Sequence, residues 1–260
     1  MPLAEINGAK VAFDDTGSGE TALVFSHGFL MDRSMFAPQI DALTDAFRCI
    51  SWDERGHGET ESDGPFTYWD SAEDLLELLD HLGIERAFLA GMSQGGFVSL
   101  RASILKPDRV AGLILIDTQA GPEEPNAVPL YESLFEDWRT NGPTEPVARS
   151  VAQIIIGDGP EAQPWIDKWL ARDPRLVSEP FHALVEREDI HDRLSEIHAP
   201  AIVIHGSQDA AIPIDKAERL CEGLPNCEGV HVIDGGTHAS NVTHPEEATT
   251  LIRDFLERNS

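Results

Sequence analysis

The chain has 260 residues, of which 41% are hydrophobic and 25% charged, enough to bury one large core carrying a modest insertion. Its 46 acidic and 19 basic residues give a net charge of −27, which repels phosphate backbones and anionic membranes and argues against nucleic acid as a partner. No window approaches the roughly 18 uncharged apolar residues of a membrane span.

The opening Met1-Pro2-Leu3-Ala4-Glu5 lacks the basic start and apolar run of a secretory signal. Cys49, Cys221 and Cys227 form no disulfide framework; a Cys221–Cys227 pair is the alternative to the expected free thiols, which together with the opening predict a cytoplasmic protein. Leu3–Ile6 and Lys10–Phe13 read as a hairpin turned at Asn7-Gly8. Thr21–Ser26 and Phe47–Trp52 read as buried strands. Thr67 and Asp70 form a capping box ahead of a helix over Tyr68–Leu82, whose leucines at 75, 78, 79 and 82 mark one face and which Gly83 ends. A strand at Arg86–Ala90, a helix at Gln94–Lys106 and a strand at Val110–Asp117 follow.

Beyond Thr118 the rhythm changes. Apolar residues recur at helical spacing in four pieces, Leu130/Leu134/Trp138, Val147/Val151/Ile154, Trp165/Trp169 and Phe181/Leu184/Val185, separated by glycine or proline. Residues 119–198 are therefore expected to be a helical cap inserted into a core made of 1–118 and 199–260. The core resumes with strands at Ala201–His205 and Val230–Ile233 and helices near Asp215–Leu224 and from Pro245 to about Arg258. Strands alternating with helices predict an α/β fold, a mainly parallel eight-stranded sheet with helices on both faces.

Gly91-Met92-Ser93-Gln94-Gly95 matches G-x-S-x-G, a weak pattern until its context is read. Here it follows a strand and opens a helix, so Ser93 sits at a sharp turn beside a helix N-terminus, where developing negative charge is favoured. The bland alternative is a helix-capping serine with incidental glycines. A serine hydroxyl needs a base. His238, in the glycine-rich loop Asp234–Ala239 after the last strand, opens on the same sheet edge; His27 and His57 are its rivals. Asp209, directly after a strand, is the preferred acid, with Asp117 as competitor. Backbone N–H groups of Gln94 and Phe29 are the expected donors to an oxyanion.

The run Phe25–Thr60, the elbow GMSQGG, the segment HGSQD and the loop GGTHAS together resemble the α/β-hydrolase superfamily, in the order that superfamily has them. The likeness is greatest to small capped bacterial members. It implies a serine hydrolase acting on a small neutral ester or lactone through an acyl-enzyme, without a cofactor or metal. Enol-lactonase, perhydrolase and carbon–carbon hydrolase chemistry are the alternatives, and a slow-hydrolysing receptor is the non-enzyme one. Serine at position 93 departs from the dehalogenases and epoxide hydrolases, which carry aspartate there. His27, Met92, Trp138 and Trp165 are expected to line the substrate pocket, within a wider apolar set (Phe29, Phe97, Leu130, Leu134, Phe135, Ile155, Trp169 and Phe181) that would equally serve as packing of cap on core. A substrate carboxylate would call for an inward-facing arginine. Monomer and homodimer both remain open.

Overall fold

The structure, a computed structural model, describes residues 2–62 and 64–260. Eight strands form one sheet: β1 (Leu3–Ile6), β2 (Ala9–Thr16), β3 (Ala22–Ser26), β4 (Arg48–Trp52), β5 (Ala87–Met92), β6 (Val110–Ile116), β7 (Ala201–Gly206) and β8 (Cys227–Ile233). Their order is β1-β2-β4-β3-β5-β6-β7-β8. The β1–β2 hairpin pairs antiparallel, as does β2 with β4, while every pairing from β4 through to β8 is parallel. The hairpin turns at Asn7-Gly8, both with positive φ, as the type I′ geometry of such turns requires.

The central strands β3, β5 and β7 are buried along their whole length, which is why they read as unbroken apolar runs rather than alternating ones. Helices α2 (Tyr68–His81), α3 (Gln94–Leu105) and α8 (Ile214–Gly223) contribute to one buried cluster. Helices α1 (Ala37–Leu43) and α10 (Pro245–Asn259) contribute to the other. The Thr67–Asp70 capping box forms as expected: Thr67 N–H donates to Asp70 Oδ2 at 2.7 Å and the threonine side chain accepts from Asp70 N–H.

Between β6 and β7 lie α4 (Val128–Asn141), α5 (Glu145–Ile155), α6 (Ala162–Ala171) and α7 (Ser178–Val185), one for each apolar repeat read in the sequence. Their buried aromatic faces, Phe135, Trp138, Trp165, Trp169 and Phe181, join the cluster that includes Phe25 and Phe36 of the core. Two short α-helices lay outside the sequence reading, α1, opened by proline in its first turn, and α9 (Ser240–Thr243), as did the short 3-10 turns such as Arg33–Phe36.

One expectation is overturned. Cys221 and Cys227 are joined by a disulfide, with Cα atoms 5.5 Å apart, while Cys49 alone is free and buried. The pair is the alternative the sequence offered: the turn after α8 folds the chain back on itself within six residues and brings the two sulfurs together. The bridge removes cysteine usage as an argument for a reducing compartment. Replacing Cys221 by serine should lower the unfolding free energy by about 2 kcal/mol, the loop-closure value for so short a ring, in urea titrations. Dithiothreitol should reproduce the loss in the unaltered chain and add nothing in the variant.

Candidate active site

Every parallel strand of the sheet ends on the same edge, and the loops after β5, β7 and β8 carry Ser93, Asp209 and His238 to one point. Ser93 follows β5 and precedes α3 with φ 48°, a strained value for a residue with a side chain. The elbow needs glycine around it: a Cβ on Gly95 would overlap the Ser26 carbonyl oxygen, and one on Gly91 would overlap the Gly95 carbonyl. The serine hydroxyl caps nothing in its own helix, which removes the capping alternative. It donates instead to His238 Nε2 at 2.9 Å, and His238 Nδ1–H donates to Asp209 Oδ2 at 2.8 Å.

Asp209 divides its carboxylate. Oδ1 accepts the N–H groups of Ala211 and Ile212, each at 2.8 Å, which leaves Oδ2 to the imidazole. Burial works to raise the Asp209 carboxyl, but the His238 charge and hydrogen bond outweigh it and the net shift is downward. Burial works to lower His238, but the Asp209 charge and hydrogen bond, helped by Asp117, carry it above its ordinary 6.5. The pair is thus built to hold an imidazolium when one forms.

The rivals have other work. His27 is fully buried; its Nε2 accepts Glu54 N–H at 3.0 Å and its Nδ1–H donates to Gly28 O at 2.8 Å, so it braces the loop after β3. His57 lies against it, ring centroids 4.9 Å apart, and its Nδ1–H donates to Arg55 O. Desolvation lowers both imidazoles and keeps them neutral. Asp117 is buried at the end of β6 and does not hydrogen-bond the imidazole. Asp117, His205 and Asp209 bring a ligand atom each within 4.8 Å of one another, yet both carboxylates already accept backbone N–H groups.

The side chain of Gln94, the residue after the nucleophile, is clamped: Tyr68 Oη–H donates to its Oε1 at 3.1 Å and its Nε2 donates to Glu54 Oε2 at 2.8 Å. Burial raises the Glu54 carboxyl well above the usual range. Sequence reasoning missed this clamp, because Glu54, Tyr68 and Gln94 lie far apart in the chain and no motif joins them.

A cavity of about 100 Å³ opens over Ser93 and His238. Phe29, Leu134, Phe135, Val151, Ile155 and Ile212 give it an apolar wall, and Glu123 and Tyr131 add polar groups. Of His27, Met92, Trp138 and Trp165 only Met92 lines it, while Phe29, Phe97, Leu134, Phe135 and Ile155 of the wider apolar set do. His27 lies beneath the loop; Trp138 faces a separate void of about 20 Å³ with Trp169 and Arg172; Trp165 is buried with the Lys168 ammonium 4.2 Å from its ring centre. Helical spacing identifies an apolar face but not which of its members abut a neighbour and which a cavity.

The chain from residue 21 to residue 245 matches the family described as alpha/beta hydrolase fold. This protein belongs to the α/β-hydrolase family. A protein of Rhizobium rhizogenes named as the carbamate hydrolase RutD is 30% identical over 261 residues, covering 92% of this chain and 93% of that one. A thermophilic esterase from Thermogutta terrifontis superposes with a TM-score of 0.91 at 30% identity over 100% of both chains. The enol-lactonase from Burkholderia xenovorans does so with a TM-score of 0.87 at 27% identity, over 98% of this chain and 100% of that chain. These α/β-hydrolase relatives are hydrolases of differing substrates, so the shared machinery, not the bond cleaved, is what likeness supplies.

Replacing Gly95 by alanine should force the elbow off the Ser26 carbonyl and cost about 1–3 kcal/mol. Thermal unfolding of that variant beside the unaltered protein checks it; an unchanged melting temperature contradicts the close approach.

Proposed function

We propose that this α/β-hydrolase cleaves a small, neutral carboxylic ester or lactone through a covalent acyl-enzyme. The observation that carries the reading is the continuous relay from Ser93 Oγ through His238 to Asp209, opening into an apolar cavity. His238 Nε2 takes the serine proton as Ser93 Oγ attacks the carbonyl carbon. Asp209 holds the imidazole tautomer and offsets the imidazolium charge without taking the proton. Phe29 N–H and Gln94 N–H are the proposed donors to the oxyanion, the second at the N-terminus of α3. The imidazolium then protonates the leaving alkoxide, and water repeats the sequence to release the acid.

The wall supports the substrate class. Its volume lies below the roughly 300–1,000 Å³ of pockets for drug-sized ligands, which favours a short acyl chain or small ring. No arginine among the described residues lines it, and its acidic lining residue, Glu123, is taken by Arg187 at 2.8 Å, so no guanidinium faces the cavity to receive a substrate carboxylate. Residues 119–198 act in this reading as the cap that supplies Leu134, Phe135, Val151 and Ile155.

Two measurements test this. With chromogenic short-chain esters, lactones and a carbamate in parallel, Ser93→Ala should lose on the order of 10⁴–10⁶ in kcat while keeping its circular dichroism. Retained activity in that variant, or preferred turnover of carboxylate-bearing enol-lactones, refutes the proposal in its catalytic or its substrate part respectively. The acidic limb of kcat/KM should fall above 6.5, because only neutral His238 accepts the proton and its neighbours favour the charged form. A limb below that value contradicts the electrostatics described.

A further inference from the structure

Asp117 has no part in the chemistry set out above, yet the chain places it where the three reacting side chains are held. It follows the last residue of β6 and adopts φ 46°, in the left-handed region that costs a non-glycine residue energy unless its surroundings hold it there. What holds it is a set of contacts to the site. Its Oδ1 accepts Gly206 N–H at 2.7 Å, at the end of β7 and three residues before Asp209. Its Oδ2 accepts both Ser240 N–H at 2.9 Å and Ser240 Oγ–H at 2.6 Å, two residues after His238. The residues on either side grip the elbow: Ile116 O accepts Ser93 N–H at 2.8 Å, and Thr118 Oγ1–H donates to Ser93 O at 2.7 Å. Three consecutive residues thus touch the loops of nucleophile, acid and base.

We propose that Asp117 is a positioning residue of this site, fixing the Asp209 and His238 loops against the Ser93 elbow. The proposal rests on the reading of Ser93, His238 and Asp209 as the reacting groups. A carboxylate suits the place because it accepts all three donors on two oxygens. An asparagine offers one acceptor oxygen and would turn an NH₂ group toward one of the donors.

The groups facing Asp117 come from every element packed on it. Asp209 and His205 face it from β7 and the following loop, and His238 and Ser240 from the loop after β8. Glu123 acts on the same imidazole from the segment after β6. His205 lies between the two carboxylates, with Nδ1 3.8 Å from Asp117 Oδ1 and Nε2 3.6 Å from Asp209 Oδ2, and its Nε2–H donates to Ile212 O. Burial lowers His205 and keeps it neutral, so it does not cancel the acids. Burial, with the nearby Asp209 charge, pushes Asp117 up to about 7.

Asp117→Asn and Ser240→Ala, assayed on p-nitrophenyl butanoate, test the proposal. Asp117→Asn should lower kcat about 10- to 100-fold with little change in KM, the scale of a small misplacement of reacting groups. It should also move the acidic limb of kcat/KM to lower pH, since an imidazolium without that neighbouring charge gives up its proton more readily. Ser240→Ala should lose several-fold in kcat at a near-native melting temperature. In the substrate-free enzyme, the downfield proton resonance of the His238–Asp209 hydrogen bond should broaden or shift in both variants. A change in melting temperature alone, with kcat, pH limb and resonance as in the unaltered protein, overturns the proposal. Should Asp117→Asn fail to fold, Ser240→Ala decides: a wild-type kcat and resonance there overturn it as well. If the unaltered protein turns over no ester, the proposed activity falls, while the resonance still reads whether Asp117 holds the imidazole.

Discussion

Parallel pairing of β3 to β8 places the carboxyl end of each strand on one edge of the sheet, and everything chemical in this protein follows from that register. Ser93 N–H bonds across to Ile116 O, Asp117 N–H to Ile204 O and Ser207 N–H to Ile233 O, so each strand end is tied to the next before any side chain is considered. Slipping one strand by a residue would exchange the side chains its two covered faces present and carry its loop out of reach of the others. The strands β3, β5, β6 and β7 are long apolar runs because helices cover both faces of the sheet, and their register fixes the distances among three side chains far apart in the chain.

On that frame the edge gathers acid groups that water would ordinarily solvate. Asp53, Glu54, Asp117 and Asp209 lie at the strand ends, the first three of them buried. Each is stabilised differently: Asp53 by Arg33, Glu54 by Gln94, Asp117 by donors at Gly206 and Ser240, and Asp209 by His238 and two backbone N–H groups. An unpaired buried charge would be costly, and partner choice decides which acid remains ionised. Asp209, hydrogen-bonded to His238, is driven down, whereas Asp117, buried, with neutral donors and a like-charged neighbour, is driven up. Two carboxylates around the same histidine thereby differ in their electrostatics, a division set by surroundings rather than by residue type.

Chain-local signals were legible and spatial ones were not. The strand runs, the Thr67 capping box, the elbow around Ser93 and the four apolar repeats of residues 119–198 each declare themselves within a dozen residues, and the structure contains an element at every one. Asp209 was separable from Asp117 only by its place after β7. Trp138 and Trp165 show where such reading stops: both are apolar at helical spacing, and both are buried against neighbours rather than facing the cavity over Ser93. Choosing between those outcomes needs the packing of α4 against α7 and of α5 against α6, a long-range fact. The Glu54–Gln94–Tyr68 clamp was hidden for the same reason, whereas the Cys221–Cys227 bridge is local and was set below free thiols.

The helices between β6 and β7 reach the candidate site as well. Ala239 N–H, directly after His238, donates to Ile155 O at 2.8 Å, so the carboxyl end of α5 ties down the His238 loop, which Asp117 also holds through Ser240. Ile155 is the last residue of α5 and also lines the cavity over Ser93. The apolar wall and the loop that carries the imidazole therefore meet in a single residue, tied to the loop by one backbone hydrogen bond.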